Sequence, residues 1–290
     1  MYKAIAENKR NTMIMMALFV GLISAIGWVV GYMYSNTSIV YYFIFGGLLY
    51  TLLQYYLASG AVVAMTGARQ IKKRDNPRLY RTVENLSITN GMPMPKVYII
   101  DDPAPNAFAT GRDPNHAIVA ATSGLLDIME DNELEAVMAH EMGHVKNYDI
   151  RLSTIVFGLV SAIGLIADIA LRGLFYSDDN DNKSPIAVVL GVVALILTPI
   201  IAAMIQMAIS RQREYLADAS SAMTTRNPDA MISALDKLKQ FSRPMKRQNT
   251  SSAHLFISNP LKAGSFNKLF STHPPIEDRI DRLNKNKVKF

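Results

Sequence analysis

The sequence predicts a mainly α integral membrane protein with four transmembrane helices and a cytoplasmic α+β domain. Half of the 290 residues are hydrophobic and only 19% are charged, which excludes a disordered chain because so much apolar surface must be buried. Several apolar runs reach the roughly 20 helical residues that are needed to cross a bilayer. Basic residues flank these runs on one side, as they do at the cytoplasmic ends of membrane helices.

The apolar runs come in two pairs along the chain. Residues 13–34 and 39–66 form the first pair, and neither run contains a charged residue. The second pair lies at about 152–174 and 186–209. Asp168 falls in the third run, where a carboxylate is costly unless it lies near a helix end or faces protein. The third and fourth runs are therefore predicted to span, with a buried or re-entrant hairpin as the alternative.

The connectors between the runs predict the orientation. No charge separates the first two runs, and the connector between the third and fourth holds Asp178, Asp179 and Asp181. Basic residues occupy the opposite ends of the runs: Lys3, Lys9, Arg10, Arg69, Lys72, Lys73, Arg74, Arg78, Arg81, Arg211 and Arg213. Both termini and both soluble stretches should therefore be cytoplasmic. The net charge of +6 then reflects topology, and no nucleic-acid motif competes with that interpretation.

Four segments follow from this topology. Residues 1–66 form a membrane hairpin and residues 151–209 a second one, which separates two soluble stretches, 67–150 and 210–290. Each stretch is small for an enzyme, but together they make one domain of ordinary size. Within the first stretch, the hydrophobic spacing predicts a helix at residues 76–90 and short strands at 96–100 and 117–121. Asn132 as a cap, with Glu133 and Glu135 in the first turn, predicts a helix at 131–145.

The sequence His140-Glu141-Met142-Gly143-His144 lies on the predicted helix 131–145. Four residues advance a helix by about 400°, so both imidazoles share one face and can reach one metal ion. Glu141 can lean over the open metal position where water binds, which is the geometry of a zinc-hydrolase site. The alternative is a pair of exposed histidines beside an acidic residue. The chain has no cysteine, which excludes thiolate metal sites and disulfides.

Glu214 is the best candidate for a third ligand. It follows the fourth apolar run closely, and the second hairpin returns the chain to the membrane face where His144 lies. Asp218 comes one helical turn later and can accept a hydrogen bond from the far nitrogen of a ligand histidine. A solvated Glu214 paired with a neighbouring arginine is the alternative. His116 and His254 have no partner pattern and are predicted to lie on the surface.

These motifs and the order of the apolar runs resemble the HtpX-type membrane zinc metalloproteases, which are gluzincins related to the CAAX prenyl proteases. The resemblance covers essentially the whole chain. It implies a zincin-like domain with one zinc ion per chain, held by His140, His144 and Glu214, with Glu141 as general base. It also implies a bacterial inner-membrane enzyme that takes part in the stress response and in quality control. Its substrates would be misfolded or damaged membrane proteins in extended form, cleaved at the cytoplasmic face.

Two further segments fit the resemblance. Asn106-Ala107-Phe108 resembles the family segment carried on the edge strand that pairs with substrate, and an exposed edge binds extended peptides through backbone groups. An Asx-turn in a loop is the alternative. His273 lies in a segment that resembles the family's C-terminal His-Pro motif and can stabilise the oxyanion. The alternative there is an ordinary amphipathic helix that begins near Pro275.

The predicted chemistry is hydrolysis by a metal-activated water. Zinc lowers the pKa of its water to about 7, and Glu141 removes the proton and returns it to the leaving amine. Two alternatives remain for the function: a processing enzyme of the CAAX type, and a membrane chaperone or scaffold without hydrolysis. Intact Glu141 argues against the second, because a binding protein needs no base. The predicted partners are membrane-protein substrates and the lipid bilayer, with no nucleic acid.

Overall fold

The computed structural model describes residues 2–175, 210–262 and 274–287. The predicted fourth span at 186–209 and the predicted site residue His273 lie outside these residues. The described helices are α1 (Tyr2–Met33), α2 (Ser38–Thr66), α3 (Pro77–Asn90), α4 (Ser123–Ile128), α5 (Asp131–Lys146), α6 (Asp149–Phe175), α7 (Arg211–Thr225), α8 (Pro228–Gln240) and α9 (Ile276–Asn286). The described strands are β1 (Arg69–Gln70), β2 (Lys96–Ile100), β3 (Ala107–Gly111) and β4 (Ala117–Thr122).

Three described helices are long and apolar enough to cross a membrane: Ala4–Met33 in α1, Ser38–Thr66 in α2 and Asp149–Ile166 in α6. The first of them starts earlier than the predicted span at residue 13, because the polar N-terminal residues continue the same helix. Large apolar side chains on α1 and α2 are exposed, among them Trp28, Phe45 and Leu52. A surface of this kind is stable against lipid, whereas in water it would be a large unfavourable patch.

The helix α6 is the inner member of this group. Within the apolar windows of the three helices, 61% of the residues of α6 are buried inside the protein, against 28% in α1 and 17% in α2. Its buried face carries Leu152, Val156 and Leu159, which pack with Met15 and Phe19 of α1. Since α6 faces protein more than lipid, a polar side chain on it can find a partner there: Thr154 Oγ1 lies 2.7 Å from Thr110 Oγ1 of β3.

A four-stranded sheet in the order β1-β2-β4-β3 lies beside the helices. The strands β2 and β4 are parallel, and the outer strands β1 and β3 each pair antiparallel with a neighbour. The strands predicted at 96–100 and 117–121 are confirmed, with one more residue at the end of β4. The resemblance placed Asn106-Ala107-Phe108 at an edge strand, and β3 is the end strand of the sheet.

The core of the soluble part is formed by one face of the sheet, α3, α5 and α8. Leu79, Val83 and Leu86 on α3 and Leu134 and Val137 on α5 are all nearly or fully buried there. The spacing of three and four residues is the pattern that predicts α3. The acidic first turn predicts α5, whose N-cap is Glu130 and not the predicted Asn132. The helix α5 thus lies in the middle of the domain, with the sheet on one side and α7 and α8 on the other.

Candidate metal centre

The helix α5 carries the His-Glu-x-x-His motif and is fixed at both ends. At its start, the Glu133 side chain accepts a hydrogen bond of 2.7 Å from the backbone N–H of Glu130, which is half of a capping box. Lys237 of α8 also contacts Glu133 at 2.6 Å and holds this end in the domain. At the other end, Tyr148 has a φ of 62°, so the chain turns sharply from α5 into the membrane helix α6.

The helix α7 brings Glu214 to the two histidines of α5. The Nε2 atoms of His140 and His144 lie 3.2 Å apart. Glu214 Oε2 lies 3.6 Å from His140 Nε2, and Glu214 Oε1 lies 3.5 Å from His144 Nε2. Three potential ligand atoms, one from each of these residues, therefore converge within 4.8 Å of one another. All of this geometry is set by two helices that are separated in sequence by the predicted second apolar hairpin.

Both imidazoles are held by carboxylates on the side away from this point. His140 Nδ1 lies 2.9 Å from Asp218 Oδ1, and His144 Nδ1 lies 2.9 Å from Asp149 Oδ2. A carboxylate accepts, so each Nδ1 is a donor, and Nε2 of each ring is the nitrogen that faces Glu214 and could bind a metal ion. Paired carboxylate–histidine contacts of this kind fix the ring orientation of metal-binding histidines and raise their basicity.

Arg279 of α9 closes the far side of the centre. The residue is 1% exposed, and its Nε and Nη2 atoms donate to the two Asp218 carboxylate oxygens at 2.9 and 2.6 Å. Burial alone would raise the pKa of Asp218, but the Arg279 guanidinium outweighs it and lowers the pKa to about 2. Asp218 is therefore a fixed carboxylate acceptor for His140. Arg279 belongs to the segment that resembles the family's His-Pro motif, but the sequence pattern gives it no role of its own.

The carboxylates around the centre favour positive charge on the groups between them. Burial lowers the pKa of His140 to about 4, so this imidazole is neutral and able to act as a ligand. Burial also disfavours the charged form of His144, but the carboxylates of Asp149, Glu214 and Glu141 outweigh it and raise the pKa to about 9. The carboxylates of the centre therefore favour a positive charge at His144.

The chemistry and the spacing of the donors fit a tetrahedral metal ion. Zinc–nitrogen bonds of about 2.0–2.1 Å at tetrahedral angles place neighbouring ligand atoms roughly 3.3 Å apart. The two imidazole nitrogens lie 3.2 Å apart, close to this value, and each has one Glu214 oxygen within 3.6 Å. Two imidazoles and one carboxylate also leave the fourth position open, as in catalytic rather than structural zinc sites.

Glu141 lies beside the three donors, on the side where a small cavity remains. Burial raises the pKa of the Glu141 carboxyl to about 7, and the backbone N–H of Ala109 in β3 is one of the groups that oppose this rise. The cavity has a volume of about 30 Å³, which is the space of about one water molecule. Its walls include Ala109, Glu141, His144, Glu214, His254 and Ile257.

The outer edge of β3 is covered by the segment Phe256-Ile257-Ser258, which we call the edge segment. The backbone N–H of Ile257 donates to Ala107 O at 3.0 Å, and the Phe108 and Phe256 rings meet edge to face at 5.1 Å. The Asn106 amide exchanges two hydrogen bonds with Ser258, donating at 2.8 Å and accepting at 3.1 Å. The edge segment thus makes the contacts that an added peptide strand would make.

One prediction about the histidines was wrong. His254 is buried, only 4% exposed, and its Nε2 lies 3.0 Å from the backbone oxygen of Ser153 in α6. No sequence motif surrounds His254, so its burial beside the site can be seen only in the folded structure. His116 is exposed, as predicted, and pairs with Asp113 at 2.8 Å. His273 lies outside the described residues. Among the described ones, the predicted residues His140, Glu141, His144, Glu214 and Asp218 come together at one centre.

The fold and the site together define a membrane metalloprotease, with a His-His-Glu centre on a helix beside a small sheet and with apolar helices attached. The family model for peptidase family M48 matches residues 73–287. The chain therefore belongs to peptidase family M48.

Full-length relatives agree with this assignment. The chain is 55% identical over 291 residues to a "Protease HtpX homolog" of Tropheryma whipplei, with all of both chains covered. It is 44% identical over 297 residues to a protein of the same name from Streptococcus gordonii, covering 98% of this chain and 99% of the relative. The resemblance to HtpX-type proteases is thereby confirmed.

A solved structure shares the fold. The crystal structure of S. mikatae Ste24p superposes with a TM-score of 0.52 at 18% identity, over 98% of this chain and 67% of that chain. At this identity the likeness concerns the fold alone. It gives no preference for a processing enzyme of the CAAX type.

Proposed function

We propose that this membrane metalloprotease is a zinc-dependent endopeptidase of the bacterial cytoplasmic membrane, with one zinc ion per chain, that cleaves misfolded or damaged membrane proteins. The observation that carries the proposal is the convergence of His140, His144 and Glu214 beside the buried carboxylate of Glu141. The proposal includes four membrane spans, with 13–34 and 39–66 before the first half of the protease domain (67–150). The second hairpin, 152–174 with 186–209, precedes the second half (210–290).

In this proposal each residue has a defined task. His140, His144 and Glu214 hold the ion, and Asp218 keeps His140 in its ligand tautomer. When bound, zinc would polarise the scissile carbonyl and make an attacking water easier to deprotonate. Glu141 accepts a proton from that water and later donates it to the leaving amine nitrogen. His273 stabilises the negative charge that develops on the carbonyl oxygen.

The substrate would lie along β3. An extended chain that adds to this edge passes Glu141, because Ala109 of β3 contacts the Glu141 carboxylate through its backbone N–H. Asn106, Ala107 and Phe108 would then bind the substrate backbone in place of the edge segment. Backbone hydrogen bonds demand little of the substrate's sequence but require it to be unfolded, which suits quality control rather than a single processing event.

Glu214→Ala should weaken zinc binding by more than Asp218→Ala does, because it removes a ligand and not a partner of a ligand. For Asp218→Ala the expected loss is roughly 10–100-fold. Equilibrium dialysis of the purified protein in detergent measures both affinities. Glu214→Ala binding zinc as tightly as the unsubstituted protein would show that the metal site is assigned incorrectly.

A cysteine at Thr37 should react with an impermeant thiol reagent added outside intact cells, and one at Asp229 should not. Thr37 is exposed between α1 and α2, on the side without basic residues, and Asp229 is exposed at the start of α8. The chain contains no native cysteine, so each signal comes from one position. Permeabilised cells provide the control, because both positions should react there. Labelling at Asp229 in intact cells would contradict the cytoplasmic orientation.

A further inference from the structure

Asn8 occupies an unusual place in the first membrane helix. It precedes the basic residues Lys9 and Arg10, where an exposed polar residue is expected, yet it is only 2% exposed. Its side chain faces the protease domain and not lipid. The amide Nδ2 donates to Asn147 O at 2.9 Å and to Asp149 Oδ1 at 2.5 Å. Both partners are acceptors, so only the NH2 end of the amide can face them and both of its protons are used.

Asp149 connects this amide to the metal centre. It is 5% exposed, and its second oxygen, Oδ2, lies 2.9 Å from His144 Nδ1. Its first oxygen also has Arg213 Nε at 3.8 Å, beyond hydrogen-bonding distance. Among the contacts described, Asn8 is therefore the partner that lies closest to Oδ1 of this carboxylate. With Oδ1 fixed, Oδ2 can only point toward His144.

Asn8 also stabilises the turn between α5 and α6. The Asn147 carbonyl that it contacts lies directly after the end of α5, next to Tyr148, whose φ of 62° turns the chain into the membrane helix. A left-handed conformation at a bulky residue needs support from its surroundings. One side chain of α1 thus contacts both the turn that ends the metal-binding helix and the carboxylate that orients its second histidine.

We propose that Asn8 is a positioning residue of the metal centre, so that the first membrane helix contributes to zinc affinity as well as to anchoring. Asn8 acts through Asp149 on His144 and touches neither the metal nor the substrate. The inference rests on the proposed function, because it takes His144 as a zinc ligand.

Zinc affinity of the full-length protein, measured in detergent by competition with a chromophoric chelator, tests the inference. Asn8→Leu keeps the size of the side chain and removes both donors, and it should weaken zinc binding by about 10–100-fold. Asn8→Ala adds no bulk and should weaken zinc binding to a similar extent. It replaces the leucine variant in the test if that variant does not fold. Thr12→Val is the matched control. This substitution removes a buried hydroxyl one helical turn after Asn8. Among the contacts described, that hydroxyl donates only to the backbone oxygen of Asn8 in its own helix, at 2.8 Å.

A double-mutant cycle distinguishes positioning from general packing. If Asn8 acts through Asp149, Asn8→Leu should change zinc affinity by less than about twofold once Asp149→Asn is present, since coupled residues are not additive. The inference would be overturned if the two Asn8 variants bound zinc as tightly as Thr12→Val. It would also be overturned if the effects of Asn8→Leu and Asp149→Asn on zinc affinity were fully additive. Failure of the proposed function is a separate result, because it would appear as unchanged zinc binding in Glu214→Ala.

Discussion

Glu141→Gln should lower kcat by about 10²–10⁴-fold, the contribution that a general base typically makes. The glutamine amide has the same shape but cannot accept a proton from water. The carboxylate is buried at 2% exposure, so bulk solvent cannot replace it easily. The zinc content should stay near that of the unsubstituted protein, because Glu141 is not one of the three converging ligands.

The measurement pairs proteolysis of casein by the purified protein in detergent with metal analysis of the same sample. Glu135→Gln is the matched control, since it makes the same change on the same helix at a half-buried position away from the metal centre. Its turnover should be unchanged. Proteolysis that persists in purified Glu141→Gln would remove the base from the mechanism.

Arg279→Met should be the most destabilising single substitution at the site, costing about 3–5 kcal/mol of the free energy of unfolding. It leaves the buried Asp218 carboxylate without its two guanidinium hydrogen bonds, in surroundings where an uncompensated charge is costly. The double variant Asp218→Leu/Arg279→Met removes the charge together with its partner. It should therefore regain most of the lost stability, but not the zinc affinity, because His140 Nδ1 loses its acceptor.

Thermal unfolding of the protein without zinc measures the loss of stability separately from metal binding. Equilibrium dialysis against zinc measures the zinc affinity. Arg282→Met on the same helix is the control. Arg282 is exposed and stacks on the Tyr215 ring at 4.5 Å, which is an interaction of about 0.5–1 kcal/mol. A double variant as unstable as Arg279→Met would show that packing at Arg279, and not the buried charge, sets the stability.

The sequence predicted the parts of the fold and site that depend on local pattern. The apolar runs, the helix α5 and the spacing of His140, Glu141 and His144 are all properties of neighbouring residues. Glu214 could be predicted because a hairpin made by the third and fourth apolar runs would return the chain to the membrane face where His144 lies. The early start of α1 was missed, since a hydropathy window stops at the first charges while the helix continues through them.

Asp218 was predicted as an acceptor for a ligand histidine, and His140 Nδ1 lies 2.9 Å from it. The supporting roles of Asn8 and Arg279 could not be predicted, because they come from contacts between distant parts of the chain. Asn8 meets Asp149 across 141 positions, and Arg279 meets Asp218 across 61. No periodicity links such pairs, and an asparagine before a basic pair is typical of a membrane boundary. His254 was misassigned for the same reason. The strand β3, Ala-Phe-Ala-Thr-Gly, has too weak a hydrophobic pattern to be predicted from propensity.

The edge segment over β3 has a consequence for competition. A segment tethered next to its own binding edge acts at an effective concentration on the order of millimolar. A peptide that adds to β3 must displace Phe256-Ile257-Ser258, so a dilute soluble peptide would lose to it by mass action. A loop of a chain that is anchored in the same bilayer is also confined to a thin layer, where its local concentration is far above its average in the cell. Confinement to the membrane would thus favour membrane-bound substrates over soluble peptides of the same sequence.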